Sequence, residues 1–190
     1  MIRYNVGVLG DMESGKTELA NQFRLKHTAT EYDPYTENGH ELRVMVDDQP
    51  CVIEIYEIPS QEEYTALRNQ WIRDCHGFVL VYSIVARQTF EGIQRYHNQI
   101  IHAKGTSDIP MILVGSECES LIEREVSRDE GTLKAKSLSC GFTEASTETS
   151  VSVDRIFYDV VRMIREAPEG APPEAAKKNK LKNKLKCTIS

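Results

Sequence analysis

Gly10-Asp11-Met12-Glu13-Ser14-Gly15-Lys16-Thr17 fits the pattern G-x-x-x-x-G-K-[ST]. An apolar run, Val6-Gly7-Val8-Leu9, comes directly before it, and a helix-like run over residues 18–25 comes directly after. In that order of strand, glycine loop and helix, successive backbone N–H groups converge on one centre. The glycines permit the tight turn, and the helix N-terminus adds its positive dipole. Lys16 is then expected to reach the outer phosphates of a nucleotide, and the Thr17 hydroxyl to hold Mg²⁺. Without its flanks the octet would be a glycine turn with a chance lysine.

Outward from this loop, strand-like and helix-like segments alternate. Residues 2–9 predict a strand and residues 16–26 a helix, while 27–40 are polar, contain Asp33-Pro34 and read as a loop. Residues 41–46 and 51–58 predict two strands flanking Asp47-Asp48-Gln49-Pro50, whose turn chemistry implies an antiparallel hairpin. Pro59-Ser60 ends the second strand, and a helix is expected over 62–75 with Trp71 packed in the core. The unbroken apolar run Gly77-Phe78-Val79-Leu80-Val81-Tyr82-Ser83-Ile84 suits a strand buried on both faces. A helix over 87–103 and a buried strand over 111–114 follow. Ser127-Arg128-Asp129-Glu130 resembles a capping box opening a helix to about Leu138, Phe142 begins a short strand, and 153–165 form a last amphipathic helix. The alternation predicts an α/β fold: a mostly parallel six-stranded sheet with one antiparallel edge and helices on both faces. Ligands in such folds bind at the carboxyl ends of the strands, where the glycine loop lies.

Length and composition suit one domain over 1–166 and a tail over 167–190, joined by the flexible linker Glu166-Ala167-Pro168-Glu169-Gly170-Ala171-Pro172-Pro173. No apolar run is long enough to span a bilayer. No secretory leader is expected from Met1-Ile2-Arg3-Tyr4-Asn5, and Ile2 is not the glycine that myristoylation needs. The five cysteines have neither zinc-finger nor C-x-x-C spacing, so reduced cytosolic thiols are expected. Net charge is −6, yet residues 174–190 hold six lysines against one glutamate, leaving −11 on the remainder. An acidic body with a basic tail implies that the tail meets an anionic membrane surface; no nucleic-acid partner is expected.

The sequence resembles the Ras small GTPases. Five features carry the likeness: the glycine loop; Glu31-Tyr32-Asp33-Pro34, similar to the start of the family's effector loop; Gln61-Glu62-Glu63-Tyr64-Thr65-Ala66-Leu67-Arg68, similar to its second switch; Ile112-Leu113-Val114-Gly115, leading into the place of the base-reading motif; and the terminal Cys187-Thr188-Ile189-Ser190, similar to a prenylation box. The resemblance implies a P-loop GTP/GDP switch with Mg²⁺, whose loops are held by the γ-phosphate and released on hydrolysis. It assigns residues 10–17 to the phosphates and Gln61 to orienting the attacking water. Thr17, Glu57 and Thr36 go to the metal, and Tyr32, Asp33, Pro34, Tyr35, Thr36 and Glu37 to the effector loop. The base contacts fall on Thr28, Ser116, Glu117, Glu119 and Ser146.

Several of these positions depart from the family pattern. Met12 and Glu13 replace two glycines, and a side chain at 12 crowds the space of a partner's arginine finger. Glu57-Ile58-Pro59-Ser60 stands for D-T-A-G; the carboxylate gains a methylene, and Pro59 with Ser60 stiffens the γ-phosphate sensor. Tyr35 takes the place of the metal-touching threonine, with Thr36 one residue later. Ser116-Glu117-Cys118-Glu119 stands for N-K-x-D, and Glu144-Ala145-Ser146-Thr147-Glu148 for E-T-S-A-K, so the base site is eroded. Cys187 with a final Ser190 fits farnesylation, and the preceding lysines supply the second signal that one lipid needs. These features imply a membrane-anchored Ras-like switch at the cytoplasmic face of the plasma membrane, with weak hydrolysis and Ras-type effectors and regulators. The alternative is a pseudoGTPase interaction protein that binds nucleotide weakly or not at all; an ATPase or nucleotide kinase on the same loop is a third reading.

Overall fold

The structure, a computed structural model, describes residues 1–28, 41–61, 64–117, 122–146 and 150–167. Six strands form one sheet in the order β2-β3-β1-β4-β5-β6: β1 (Ile2–Leu9), β2 (Glu41–Val46), β3 (Gln49–Glu57), β4 (Gly77–Ser83), β5 (Met111–Ser116) and β6 (Gly141–Glu144). Only β2 with β3 is antiparallel; β1 pairs in parallel with β3 and β4, and β4–β5–β6 continue in parallel. Among the described residues six α-helices accompany them: α1 (Lys16–Thr28), α2 (Thr65–Asp74), α3 (Arg87–Glu91), α4 (Ile93–Lys104), α5 (Arg128–Ser137) and α6 (Ser150–Glu166).

Side-chain alternation sorts the core into two layers. Val79 and Val81 of β4 join Val6, Val8, Leu19, Phe23, Phe157, Val160 and Ile164 beneath α1 and α6. Phe78, Leu80 and Tyr82 of the same strand join Leu9, Ile72, Ile93, Tyr96, Ile100 and Leu113 on the other face. All seven residues of β4 are buried, as a strand covered on both faces requires. Trp71 packs half-buried against the second layer. Cys51, Cys75 and Cys140 are unbridged.

Two differences from the sequence expectation have a local cause. β3 begins at Gln49 because Asp47 and Asp48 alone make the turn, both with positive φ (51° and 58°). Pro50 is tolerated there because the β1 ladder starts only at Cys51, opposite Ile2. The helix expected over 87–103 is two, divided at Gly92; glycine is a poor helix former, and Thr89 Oγ1 folds back to the Ala86 carbonyl at 2.7 Å. The capping box forms in full: Glu130 N–H donates to Ser127 Oγ at 3.2 Å, and Ser127 N–H to Glu130 Oε2 at 2.9 Å. No helix among the described residues is long and apolar enough to cross a membrane.

Candidate functional site

β1 delivers the chain at Leu9 to the carboxyl edge of the sheet, where residues 10–15 wrap back into α1. Met12–Ser14 make a short 3-10 turn, closed by Ser14 N–H donating to the Asp11 carbonyl at 3.2 Å. Two glycines are required here. A Cβ on Gly10 would stand 2.4 Å from the Val81 carbonyl oxygen, and Gly15 takes φ +77° with Ser116 Oγ 2.9 Å from where its Cβ would be. Lys16 folds over the loop and donates from Nζ to the Asp11 carbonyl at 3.1 Å. It is 8% exposed, and burial pushes its ammonium below the usual lysine value, while Glu57, Asp11 and Glu18 pull the other way. A desolvated ammonium beside a helix N-terminus is well placed to gain from an incoming anion.

The loop's remaining side chains are tied outward. Asp11 Oδ1 accepts from Tyr96 Oη at 2.5 Å and from Arg95 Nη2 at 2.9 Å, fastening the loop to α4. Glu13 Oε2 accepts from Gln88 Nε2 at 2.7 Å, so its charge is drawn toward α3. Met12 projects from the rim, 76% exposed.

Glu57 ends β3 with its carboxylate on Arg24 of α1. Ile58 N–H continues the ladder to the Val8 carbonyl at 3.0 Å, after which Pro59 and Ser60 leave the sheet. Gln61 has an exposed side chain, and its carbonyl accepts from the buried Arg68 guanidinium, which also reaches Gln99 Oε1 at 3.5 Å.

Behind the loop, Ser116 is fully buried and its hydroxyl is spent inside the protein, 2.7 Å from the Ser14 carbonyl and 3.1 Å from that of Tyr82. The short side chain of Ser116, expected at the base, braces the phosphate loop here. Glu117 sits at φ +61° with its carboxylate on Ser83 Oγ. Glu144 is gripped by Arg124 at 2.7 and 3.1 Å, and Ala145 N–H meets the Gly115 carbonyl at 2.9 Å, which carries Ser146 beside the same edge. Thr28 is the last residue of α1. Tyr32, Asp33, Pro34, Tyr35, Thr36 and Glu37, together with Glu119 and Cys187, lie outside the described residues.

Arg24, Gln88 and Tyr96 are absent from the sequence expectation of the site, and Arg68 enters it only as the end of the stretch similar to the second switch. Only Arg24 left a signal there: it lies seven residues beyond Thr17, on the same helix face.

A parallel sheet with a glycine loop and buried lysine at its carboxyl edge defines a P-loop nucleotide-binding fold. The Ras family model matches residues 5–166. Protein ras-2 of Neurospora crassa is 39% identical over 204 aligned residues, spanning 94% of this chain and 89% of that protein. Ras-like protein B of Aspergillus fumigatus is 41% identical, spanning 87% and 79%, and Ras-like protein 1 of Pyricularia oryzae is 43% identical, spanning 83% and 73%. The chain belongs to the Ras family of GTPase signalling switches.

Members of that family bind GTP or GDP with Mg²⁺. The phosphate half of the site fits here: the left-handed Gly15, the desolvated Lys16 and the α1 N-terminus converge as an anion requires. The Mg²⁺ half does not fit in full. The Thr17 hydroxyl is exposed at the first turn of α1, but the Glu57 carboxylate is committed to a guanidinium. The described residues hold no cluster of three or more His, Cys, Asp or Glu able to bind a metal.

Proposed function

We propose that this chain is a Ras-type switch that holds GTP and GDP through residues 10–17, hydrolyses GTP slowly and works at the cytoplasmic face of the plasma membrane. The observation that carries the reading is the pairing of Gly15 in its left-handed turn with the buried Lys16 beside it. Lys16 supplies the fixed cation for the outer phosphates, and the loop N–H groups share the rest of the charge. Gln61 orients the attacking water. Turnover is slow in this reading because Met12 crowds the loop rim and Pro59-Ser60 stiffens the approach to Gln61. Effectors and regulators of Ras type would read the two switch loops.

The tail supports the location. A farnesyl group on Cys187 supplies one lipid, and the six lysines of 177–186 add about 1 kcal/mol each near an anionic leaflet. Cys187→Ser should release a tagged protein from membranes.

The nucleotide reading is tested by denaturing the purified protein and chromatographing what it releases. Wild type should yield guanine nucleotide and Lys16→Ala none. Equal yields would remove this loop as the binding site. The second reading, a Ras-shaped interaction protein with weak or no nucleotide binding, is favoured by the inward turn of Ser116 and the engagement of Glu117 with Ser83. It predicts an empty wild-type protein.

A further inference from the structure

The α1 stripe that opens at Thr17 runs on through Asn21 to Arg24, at the four- and three-residue spacings that share a helix face. The hydroxyl expected to touch Mg²⁺ therefore lies in line with a guanidinium. Arg24 spans from α1 to the end of β3. Its Nη1 donates to Glu57 Oε1 and to Asn21 Oδ1, the latter at 3.1 Å, and its Nη2 donates to the Ile55 carbonyl at 3.2 Å. Three acceptors from two elements thus fix the fork. The Arg24 and Glu57 side chains are only 22% and 25% exposed, so solvent screens the pair less than it would a surface pair. Lys16 is a second cation that feels the same carboxylate.

A guanidinium and Mg²⁺ make incompatible demands on that group. Mg²⁺ wants oxygen ligands and ordered water at about 2.1 Å in an octahedron. The arginine fork wants the carboxylate oxygen in its own plane, and it cannot shed its charge. Glu57 has one methylene more than an aspartate, and its carboxylate meets Arg24. Once it is neutralised there, it neither attracts a divalent cation strongly nor orients that cation's water.

We propose that Arg24 is an internal counter-cation for Glu57 that displaces Mg²⁺ from its carboxylate anchor, so that this chain retains nucleoside diphosphate with little dependence on Mg²⁺. The inference rests on the nucleotide-binding reading above. Mg²⁺ reaches Glu57 only by breaking the Arg24 contact, and Thr17 alone remains as its described protein ligand.

The experiment uses the full chain as wild type, Arg24→Gln and Glu57→Asp, each loaded with fluorescent GDP. Release is timed over a Mg²⁺ series set against EDTA. Wild-type release should differ little between EDTA and millimolar Mg²⁺, any midpoint lying high, and Arg24→Gln should lower the midpoint for slow release about tenfold, equivalent to about 1.4 kcal/mol. Glu57→Asp, which draws the carboxylate back from Arg24, should move it the same way. Equal midpoints in all three proteins would overturn the inference. If none of them retains GDP at any Mg²⁺ level, the nucleotide reading fails, and Mn²⁺ titration of the nucleotide-free proteins by electron paramagnetic resonance decides the inference. Tighter Mn²⁺ binding by Arg24→Gln than by wild type then upholds Arg24 as the counter-cation that keeps a divalent ion from Glu57, and equal binding overturns it.

Discussion

The hydroxyl of Ser116 stands 2.7 Å from the carbonyl oxygen of Ser14, joining the end of β5 to the phosphate loop one residue before its left-handed glycine. Gly15 and Ser116 are fitted to each other, since a Cβ at 15 would come within 2.9 Å of this hydroxyl. This buried contact ties the end of β5 to the phosphate loop.

Ser116→Ala should expose the importance of that contact. It removes the single O–H that the buried Ser14 and Tyr82 carbonyls share, the Ser14 contact being the shorter, at a cost of about 1–3 kcal/mol. Urea unfolding should show a lower midpoint at an unchanged slope. Guanine nucleotide, where bound, should leave faster. A variant matching wild type in both measurements would mean that the loop is held by its own turn alone.

The strap from Asp11 to α4 has two strands of unequal worth. Tyr96 is buried and gives Asp11 its hydroxyl at 2.5 Å; its phenol is pushed up to about 12, first by burial and then by this hydrogen bond, so it stays a neutral donor. Arg95 has a side chain 56% exposed, where ion pairs contribute about 0–1 kcal/mol. Tyr96→Phe should then cost about 1.5–3 kcal/mol, the range for a hydrogen bond to a charged group, and Arg95→Ala much less. Thermal or urea unfolding of the two variants checks the ranking, and the reverse order would reject it.

The sheet is legible in the sequence because β4 and β5 are continuous apolar runs, and the hairpin because Asp47-Asp48 interrupts two alternating segments. The phosphate loop is legible because its glycines answer to backbone demands that no other residue meets. Side-chain partnerships are not. Arg24 with Glu57 and Asp11 with Tyr96 join residues 33 and 85 positions apart, and Arg68 with Gln99 joins residues 31 apart. No local periodicity encodes them. Ser116 was legible as a replacement for asparagine but not as a brace, because its direction depends on how closely Ser14 approaches.

His76 should make the fold sensitive to acid. Its Nδ1 accepts the Asn5 backbone N–H at 2.9 Å, a bond that only the unprotonated nitrogen can make. Burial first, then the nearby Lys104 ammonium, hold its pKa below 6.5. The unfolded chain therefore binds the proton more readily, and this contribution is fully present above about pH 6.5 and lost as pH falls through the lowered folded value. The urea midpoint of wild type should drop between about pH 7 and pH 5. His76→Gln, with a carbonyl oxygen available as a non-titrating acceptor, should flatten that drop. Parallel pH profiles for the two proteins would acquit His76.

Met12 sets the last expectation, which concerns hydrolysis. The side chain stands on the rim of the phosphate loop, 76% exposed, while its neighbours Asp11 and Glu13 are held back against α4 and α3. An arginine from an activating partner has to enter over this rim to meet the charge that develops on the γ-phosphate, and a working finger accelerates GTP hydrolysis by roughly 10³–10⁵-fold. On the proposed reading, a methionine there takes the volume the guanidinium needs. Single-turnover hydrolysis with a Ras-type activating protein should therefore rise little in wild type and more in Met12→Gly. The gain should stay incomplete, because Pro59 and Ser60 still stiffen the turn into Gln61, whose carbonyl Arg68 anchors. Acceleration of the wild-type protein near 10⁵-fold would show that the finger passes Met12 unhindered, and no gain in Met12→Gly would move the block to the Pro59-Ser60 turn.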